Sequence, residues 1–150
     1  DVSNITWEDV FDKMEYDRMQ KTFTIISPKV KREEILNETK DIILHQGSMS
    51  TMICEGDYAP WSMRPLADHM RREYNMREFH QYVSLNTGSS TFGRHNDNVN
   101  VMIVPIIGDI GYNVDGIGQV IMEPGDILHI PKYVYHEPLV FGPRATLSFS

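Results

Sequence analysis

The feature that most constrains the fold of this sequence is a series of short apolar and β-branched runs that begins at Phe79 and continues to the end of the chain. Turn-forming sequences separate the runs, and we expect β-hairpins at these separators, which are Asn86-Thr-Gly88, Gly108-Asp109, Asp115-Gly116, Pro124-Gly125 and Gly142-Pro143. Regularly spaced short strands are typical of a β-sandwich or β-barrel. The predicted strands are Phe79–Leu85, Asn98–Ile107, Gly111–Val114, Gln119–Glu123, Asp126–Pro131, His136–Phe141 and Arg144–Phe149.

The residues before this series carry mainly helical signals. Thr6 can cap a helix over Trp7–Met14, and Pro65 suits the first turn of a helix that continues over Leu66–Tyr74. The segment Arg32–His45 carries regularly placed apolar residues and predicts a further helix. Short β-branched runs predict two strands among these helices, at Thr22–Ile26 and Ser50–Cys54.

The length of 150 residues and the hydrophobic content of 41% predict one domain, with residues 1–78 as a mostly helical flank and residues 79–150 as the barrel core. The formal charge of −7 gives no general attraction to nucleic acid. The longest apolar run, Val101–Ile107, is too short for a membrane span. Cys54 is the single cysteine, so we expect a reducing, cytoplasmic location and nitrogen or oxygen ligands for any metal.

Two histidines and one aspartate form a candidate metal site. His95 and Asp97 stand two positions apart, so on a strand both side chains would point to the same face. By itself this pair favours a surface loop over a metal site. A Pro-bounded strand before His136 can present a third ligand to the same barrel mouth, and two histidines with one carboxylate are characteristic of non-haem Fe(II) oxygenases.

The run Gly93–Gly108, followed by Pro124–Pro131 and His136, combines His-x-Asp, a strand ending in glycine, Pro-Gly-Asp and a distal histidine. This combination resembles the cupin-fold 2-oxoglutarate oxygenases, and within them the JmjC and ribosomal-oxygenase branch, over roughly the last sixty residues. The resemblance implies a mainly β fold with N-terminal helices, built on a double-stranded β-helix (a cupin or jelly-roll barrel). It also implies a dioxygenase that uses Fe(II) and takes 2-oxoglutarate as cosubstrate.

The resembled branch carries a lysine or arginine two residues after the strand-ending glycine, where this chain has Ile110. The segment from His136 to Arg144 is instead similar to the prolyl-hydroxylase pattern, which makes Arg144 the candidate for binding the distal carboxylate of 2-oxoglutarate. The alternative is an exposed arginine after a turn. In a regular hairpin the two strands begin at opposite ends, so Arg144 would have to reach back toward the metal. The other candidates for cosubstrate contacts are Tyr82, Thr91 and Asn100.

Three further assignments follow from strand alternation and composition. His80, Tyr82 and Ser84 share one strand face and are candidates for lining a pocket. Arg94 is expected to face away from His95. His129 is interpreted as a hydrogen-bonded wall or core residue and not as a ligand.

The sequence leaves the substrate and the assembly open. A protein, a nucleotide and a small molecule all remain candidate substrates, no membrane partner is expected, and a homodimer is a candidate assembly. Two alternatives to the oxygenase stay open as well. One is a cupin metalloenzyme that does not use 2-oxoglutarate, and the other is a non-catalytic metal-binding cupin.

Overall fold

A computed structural model describes residues 1–26 and 50–150 of the chain, so the predicted helix Arg32–His45 lies outside the described residues. The helices are α1 (Trp7–Met19) and α2 (Arg64–Tyr74), and a 3-10 turn (Trp61–Met63) leads into α2. The strands are β1 (Phe23–Ile26), β2 (Thr51–Cys54), β3 (Phe79–Ser84), β4 (Val101–Ile107), β5 (Ile110–Val114), β6 (Gly118–Met122), β7 (Leu128–Ile130), β8 (His136–Leu139) and β9 (Arg144–Phe149).

Within residues 1–26 and 50–150, the strands form two antiparallel sheets. One sheet has six strands in the order β1-β2-β3-β9-β4-β7, and the other has three strands in the order β6-β5-β8. This architecture confirms the mainly β, double-stranded β-helix fold with N-terminal helices. Strands β1 and β2, which precede residue 78, extend the same sheet that holds β3, β9 and β4.

The prediction of hairpins at the turn pairs is wrong at most of the separators. Asp115-Gly116 does join the neighbouring strands β5 and β6. Gly108-Asp109, Pro124-Gly125 and Gly142-Pro143 instead carry the chain from one sheet to the other, and Asn86-Thr-Gly88 leaves β3 for β4, which lies on the far side of β9. Turn residues encode a change of chain direction, whereas the partner strand is chosen by packing between the sheets.

The two faces of the six-stranded sheet have different neighbours, the helices on one side and the three-stranded sheet on the other. Along β3, Phe79, Gln81 and Val83 point to one face and are buried, and the intervening side chains point to the other face. The first face packs against the helices, where Val10 and Met14 of α1 join the same apolar cluster. The opposite face looks toward the three-stranded sheet, so polar side chains on this face lie between the two sheets.

Helix α1 begins as predicted but is longer than predicted. Thr6 and Asp9 form a capping box, with the Asp9 backbone N–H donating to Thr6 Oγ1 at 3.3 Å. The helix then continues past Met14 and buries Lys13 against Asp17, with Nζ and Oδ2 3.1 Å apart. Charged residues on the buried face interrupt the apolar periodicity from which a helix is recognised, which explains the short prediction. Within residues 1–26 and 50–150, no helix has the length and apolar character needed to cross a membrane.

Candidate functional site

Backbone pairing brings the predicted ligands together. His95 and His136 form an isolated antiparallel bridge in which each N–H donates to the carbonyl of the other residue, at 2.9 and 2.8 Å. The Tyr133 N–H donates to the carbonyl of Asp97 at 2.7 Å. The prediction that a strand begins at Asn98 is corrected, because β4 begins at Val101 and both His95 and Asp97 precede it. The chain before β4 is therefore held against the chain that enters β8 by these three hydrogen bonds.

The three side chains converge on one point. His136 Nε2 lies 3.4 Å from Asp97 Oδ2, and His95 Nε2 lies 4.0 Å from Asp97 Oδ1. One ligand atom from each residue lies within 4.8 Å of the other two, a separation that a single ion can bridge. His136 is 4% exposed, whereas His95 and Asp97 are half-buried. The group therefore has one buried ligand and two ligands that border open space.

Both imidazoles are oriented by backbone carbonyls. His95 Nδ1 lies 2.8 Å from the carbonyl oxygen of Gly93, and His136 Nδ1 lies 3.0 Å from that of Val134. A carbonyl oxygen can only accept a hydrogen bond, so Nδ1 must carry the proton and donate it. Each Nε2 then keeps its lone pair and points toward Asp97. This is the arrangement that fixes the tautomer of a metal-ligating histidine.

The donor set suits a divalent transition metal. Two imidazole nitrogens and one carboxylate oxygen, all on one side of an ion, leave the opposite coordination positions open. No thiolate takes part, because Cys54 is buried on a different strand. This set of ligands fits Fe(II) or Mn(II) and leaves room for exchangeable ligands on the opposite side of the ion.

Metal affinity is expected to fall as the pH falls. A proton and a metal ion compete for the same Nε2 lone pair on His95 and on His136, because each Nδ1 already donates to a carbonyl. Each imidazole that must lose a proton before it can bind the metal makes the apparent affinity for Mn(II) fall further as the pH is lowered. Mn(II) titrations at a series of pH values check this dependence, and an affinity independent of pH would contradict histidine ligation.

A cavity of about 510 Å³ lies beside the three ligands, between the two sheets. His136 and Tyr112 border it from the three-stranded sheet, and Val101 and Ile103 add an apolar wall. The six-stranded sheet and the segments next to it contribute many polar groups. These are Thr51, Glu55, His80, Tyr82, Thr91, Arg144, Ser148 and Ser150.

Arg144 is buried in this cavity wall, so the alternative of an exposed arginine is wrong. It is 2% exposed, its Nε donates to Ser84 Oγ at 2.9 Å, and its Cζ lies 6.0 Å from the centre of the Tyr82 ring. The expected hairpin geometry is also corrected, since β8 and β9 belong to different sheets that face each other. His136 and Arg144 thus border one cavity from opposite sides, and Arg144 has no need to reach back along a hairpin.

The local fold explains how Arg144 enters the site. Gly108 directly follows β4 and has a φ of +73°, a conformation that glycine adopts without strain. A Cβ atom at this position would lie 2.2 Å from the carbonyl oxygen of Pro143 and 3.2 Å from Cα of Arg144. The strand-ending glycine therefore allows the chain entering β9 to pass close to the end of β4, which places Arg144 at the cavity.

Burial sets the protonation of the groups around Arg144. Burial raises the pKa of Tyr82 and of Tyr112, and the nearby Arg144 guanidinium opposes the rise. Burial lowers the pKa of Arg144, while the two tyrosine hydroxyls act in the opposite direction. An arginine remains protonated in proteins, and both phenols keep their protons, so all three side chains offer hydrogen-bond donors to an anion.

The remaining predicted residues divide into those that border the cavity and those that do not. Tyr82 and Thr91 border it, and Thr91 Oγ1 accepts a hydrogen bond from the Gly93 N–H at 3.0 Å. Asn100 is a correction, because it is exposed and its Oδ1 accepts from the Lys132 N–H at 3.0 Å outside the cavity. This amide secures the turn before the distal histidine, and Asn100 is not among the residues that border the cavity.

Two other side-chain placements can be compared with the sequence predictions. Arg94 faces away from the cavity as expected, with its guanidinium 4.2 Å from the centre of the Tyr135 ring and in contact with Asp115. The interpretation of His129 as a wall or core residue is wrong, because this side chain is exposed on the edge strand β7. The apolar neighbours of His129 in sequence point to the opposite face of the strand.

Sequence reasoning missed Thr51, Glu55, Tyr112 and Ser148 as cavity residues. Alternation along β9 could have indicated Ser148, because residues 144, 146 and 148 share one strand face. Nothing local to Thr51 or Tyr112 indicates a cavity, since β2 and β5 are short and mainly buried. Their positions depend on which strands become neighbours.

No family model matches the chain, and no curated protein matches its sequence significantly. The structure is similar to that of the ribosomal oxygenase YcfD from Escherichia coli, with a TM-score of 0.65 and 20% identity over 93% of this chain and 42% of YcfD. YcfD in complex with cobalt and 2-oxoglutarate matches with a TM-score of 0.64 and 19% identity over 93% and 43% of the two chains. The complex with cobalt and succinic acid matches with 0.65 and 19% over 85% and 39%. This chain spans about two fifths of the length of YcfD. The structural similarity supports the double-stranded β-helix fold.

Proposed function

We propose that this protein is an Fe(II)- and 2-oxoglutarate-dependent oxygenase that hydroxylates its substrate. The observation that carries the proposal is a single cavity bordered on one side by His95, Asp97 and His136 and on the opposing sheet by the buried Arg144. The cobalt and 2-oxoglutarate bound by YcfD, which has the same fold, support this assignment.

The charges of the site match this cosubstrate. A divalent metal and the Arg144 guanidinium supply three positive charges, whereas Asp97 and Glu55, which also borders the cavity, supply two negative charges. The cation at each end of the cavity can accept one carboxylate of a dicarboxylate such as 2-oxoglutarate. Because charges in a partly closed cavity need partners, a dianion with one end at the metal and the other end at Arg144 is the favoured ligand.

Each residue has a defined task in the proposed site. His95, Asp97 and His136 would hold the metal on one face and leave the other face for exchangeable ligands. Arg144 would bind the distal carboxylate through its terminal N–H groups, since its Nε already donates to Ser84. When bound, Fe(II) and 2-oxoglutarate supply the oxidative chemistry, in which O₂ hydroxylates a C–H bond while 2-oxoglutarate is converted to succinate and CO₂. The apolar wall formed by Val101 and Ile103 would limit access of water to this end of the cavity.

One observation favours a second candidate, a cupin metalloenzyme that does not use 2-oxoglutarate. Ile110 occupies the position at which the resembled branch carries its carboxylate-binding cation, and this isoleucine is buried in the apolar core. The second candidate keeps the metal ligands and leaves Arg144 with a role in folding alone. Binding of 2-oxoglutarate therefore separates the two candidates.

The test is a metal assay combined with measurement of succinate. Purified protein is loaded with Fe(II) and incubated with 2-oxoglutarate and O₂, and succinate is quantified. We expect succinate to form only when both Fe(II) and 2-oxoglutarate are present, even without a prime substrate. The Asp97→Ala variant should form none, whereas His129→Ala, which changes an exposed histidine outside the cavity, should behave like the wild type. Metal binding without 2-oxoglutarate binding would favour the second candidate, and the absence of both would contradict the proposal.

A further inference from the structure

The turn between β7 and β8 contacts two of the three candidate metal ligands. It begins at Pro131 and is closed by a hydrogen bond from the Val134 N–H to the Pro131 carbonyl at 3.2 Å. Within the turn, the Tyr133 N–H donates to the carbonyl of Asp97 at 2.7 Å. At its end, the carbonyl of Val134 accepts a hydrogen bond from His136 Nδ1 at 3.0 Å. The turn therefore links the backbone of one ligand to the imidazole of another.

Tyr133 holds a backbone conformation that is unfavourable for its residue type. It stands at the third position of the turn and has a φ of +68°. Type II turns require a positive φ at this position and normally carry glycine or asparagine there. The Tyr133 side chain is 61% exposed, so burial of the ring does little to offset the strain. Such a conformation persists only where surrounding contacts impose it, and the hydrogen bond to Asp97 is one of these contacts.

The side chain of Asn100 supplies a second contact that fixes the turn. Val101 and Ile130 are the register partners at the end of the β4–β7 pair. The next residue after β7 is Pro131, which has no N–H, so the backbone ladder cannot continue. Asn100 directly precedes β4, and its Oδ1 accepts from the Lys132 N–H at 3.0 Å. The amide thus attaches the turn to the segment before β4 at the point where backbone pairing ends.

We infer that Asn100 and Tyr133 are positioning residues for the metal centre, where they hold Asp97 and His136 at the separation that one ion requires. This inference rests on the metal site of the proposed function. Asp97 Oδ2 and His136 Nε2 lie 3.4 Å apart although their segments are distant in sequence. Tyr133 joins these segments directly, and Asn100 acts by holding the same turn in place. Ligands that are ordered before the metal arrives bind it more tightly, because binding need not also order them.

Two pairs of substitutions and one control test the inference. Asn100→Leu removes the acceptor for the Lys132 N–H with little change of volume, whereas Asn100→Asp keeps an acceptor oxygen. Tyr133→Gly accommodates a positive φ, whereas the β-branched side chain in Tyr133→Val opposes it. Both Tyr133 variants lose the ring, so a difference between them reports on the backbone. Asn98→Leu is the matched control, because Asn98 is an exposed asparagine in the same segment.

We expect Asn100→Leu and Tyr133→Val each to weaken Mn(II) binding about tenfold, at the lower end of the effect of losing a residue that supports a metal ligand. Asn100→Asp should bind Mn(II) at least as tightly as the wild type, and Tyr133→Gly and Asn98→Leu should match it. The visible absorption spectrum of the Co(II)-loaded protein depends on the arrangement of ligands around the ion. This spectrum should change in the two weakened variants and stay unchanged in Tyr133→Gly and Asn98→Leu.

The outcomes separate the inference from the function on which it rests. Wild-type binding of Mn(II), with unchanged affinity and unchanged Co(II) spectra in Asn100→Leu and Tyr133→Val, would overturn the positioning roles and leave the proposed oxygenase intact. A lower thermal stability without any change in the metal readouts would also overturn them, because it indicates a role in folding alone. A wild-type protein that binds neither metal would overturn both the inference and the proposed function. If Tyr133→Val does not fold, the comparison of Asn100→Leu with Asn100→Asp decides by itself, since Asn100 is exposed.

Discussion

Replacement of His95, Asp97 or His136 by alanine is expected to abolish stoichiometric binding of Fe(II) and Mn(II). Loss of a residue that merely supports a ligand already costs about 10–100-fold in metal affinity, so loss of a ligand itself should cost more than about 100-fold. The three residues act together, because each contributes an atom within 4.8 Å of the other two. Metal content of the purified variants and Mn(II) titrations measure this effect.

The fold should survive these three substitutions. His95 and Asp97 are half-buried, and the hydrogen bonds that join the ligand segments run between backbone atoms, which alanine retains. His136 is buried, so its variant should lose some thermal stability but remain folded. His129→Ala serves as the control histidine variant, since this side chain is exposed on β7. Equal metal content in the wild type and all three variants would disprove the metal centre.

Removal of the Arg144 side chain is expected to give the second large effect, on the cosubstrate. Arg144→Ala should weaken 2-oxoglutarate binding roughly 10- to 150-fold, equivalent to about 1.5–3 kcal/mol for a lost charge-assisted interaction, with metal binding retained. The physical reason is that a carboxylate in the partly closed cavity would lose its buried cationic partner. Titration of the Mn(II)-loaded variant with 2-oxoglutarate measures the loss.

Two further variants separate binding from stability. Arg144→Met keeps much of the buried volume while removing the charge, so it should show the same loss of 2-oxoglutarate binding with a smaller loss of thermal stability. Arg94→Ala removes an exposed arginine on the other side of His95 and should leave both affinities unchanged. Unchanged 2-oxoglutarate affinity in Arg144→Ala would exclude this arginine from the site.

The strands and the metal ligands were predictable because their signals are local. Alternation and turn residues identified all seven strands from Phe79 onward, with ends that shift by a few residues. The ligands stand in short motifs, His95-x-Asp97 and the Pro-bounded strand before His136, whose chemistry is legible from residue types and spacing. Helix α1 was predicted too short because its second half carries no local apolar signal. Lys13 and Asp17 are buried there, and their burial depends on partners outside the helix.

The sequence by itself therefore determined which of the described residues form strands and which residues are the candidate metal ligands. The tertiary structure alone decided that β9 lies between β3 and β4, that β8 and β9 border one cavity from opposite sides, and that Arg144 donates to Ser84. Turn residues specify where the chain reverses, but strand partners and register follow from packing two sheets against each other and against the helices. Contacts between residues on separate strands carry no local signal, so the cavity wall that holds Arg144 became visible only when the strands were assembled.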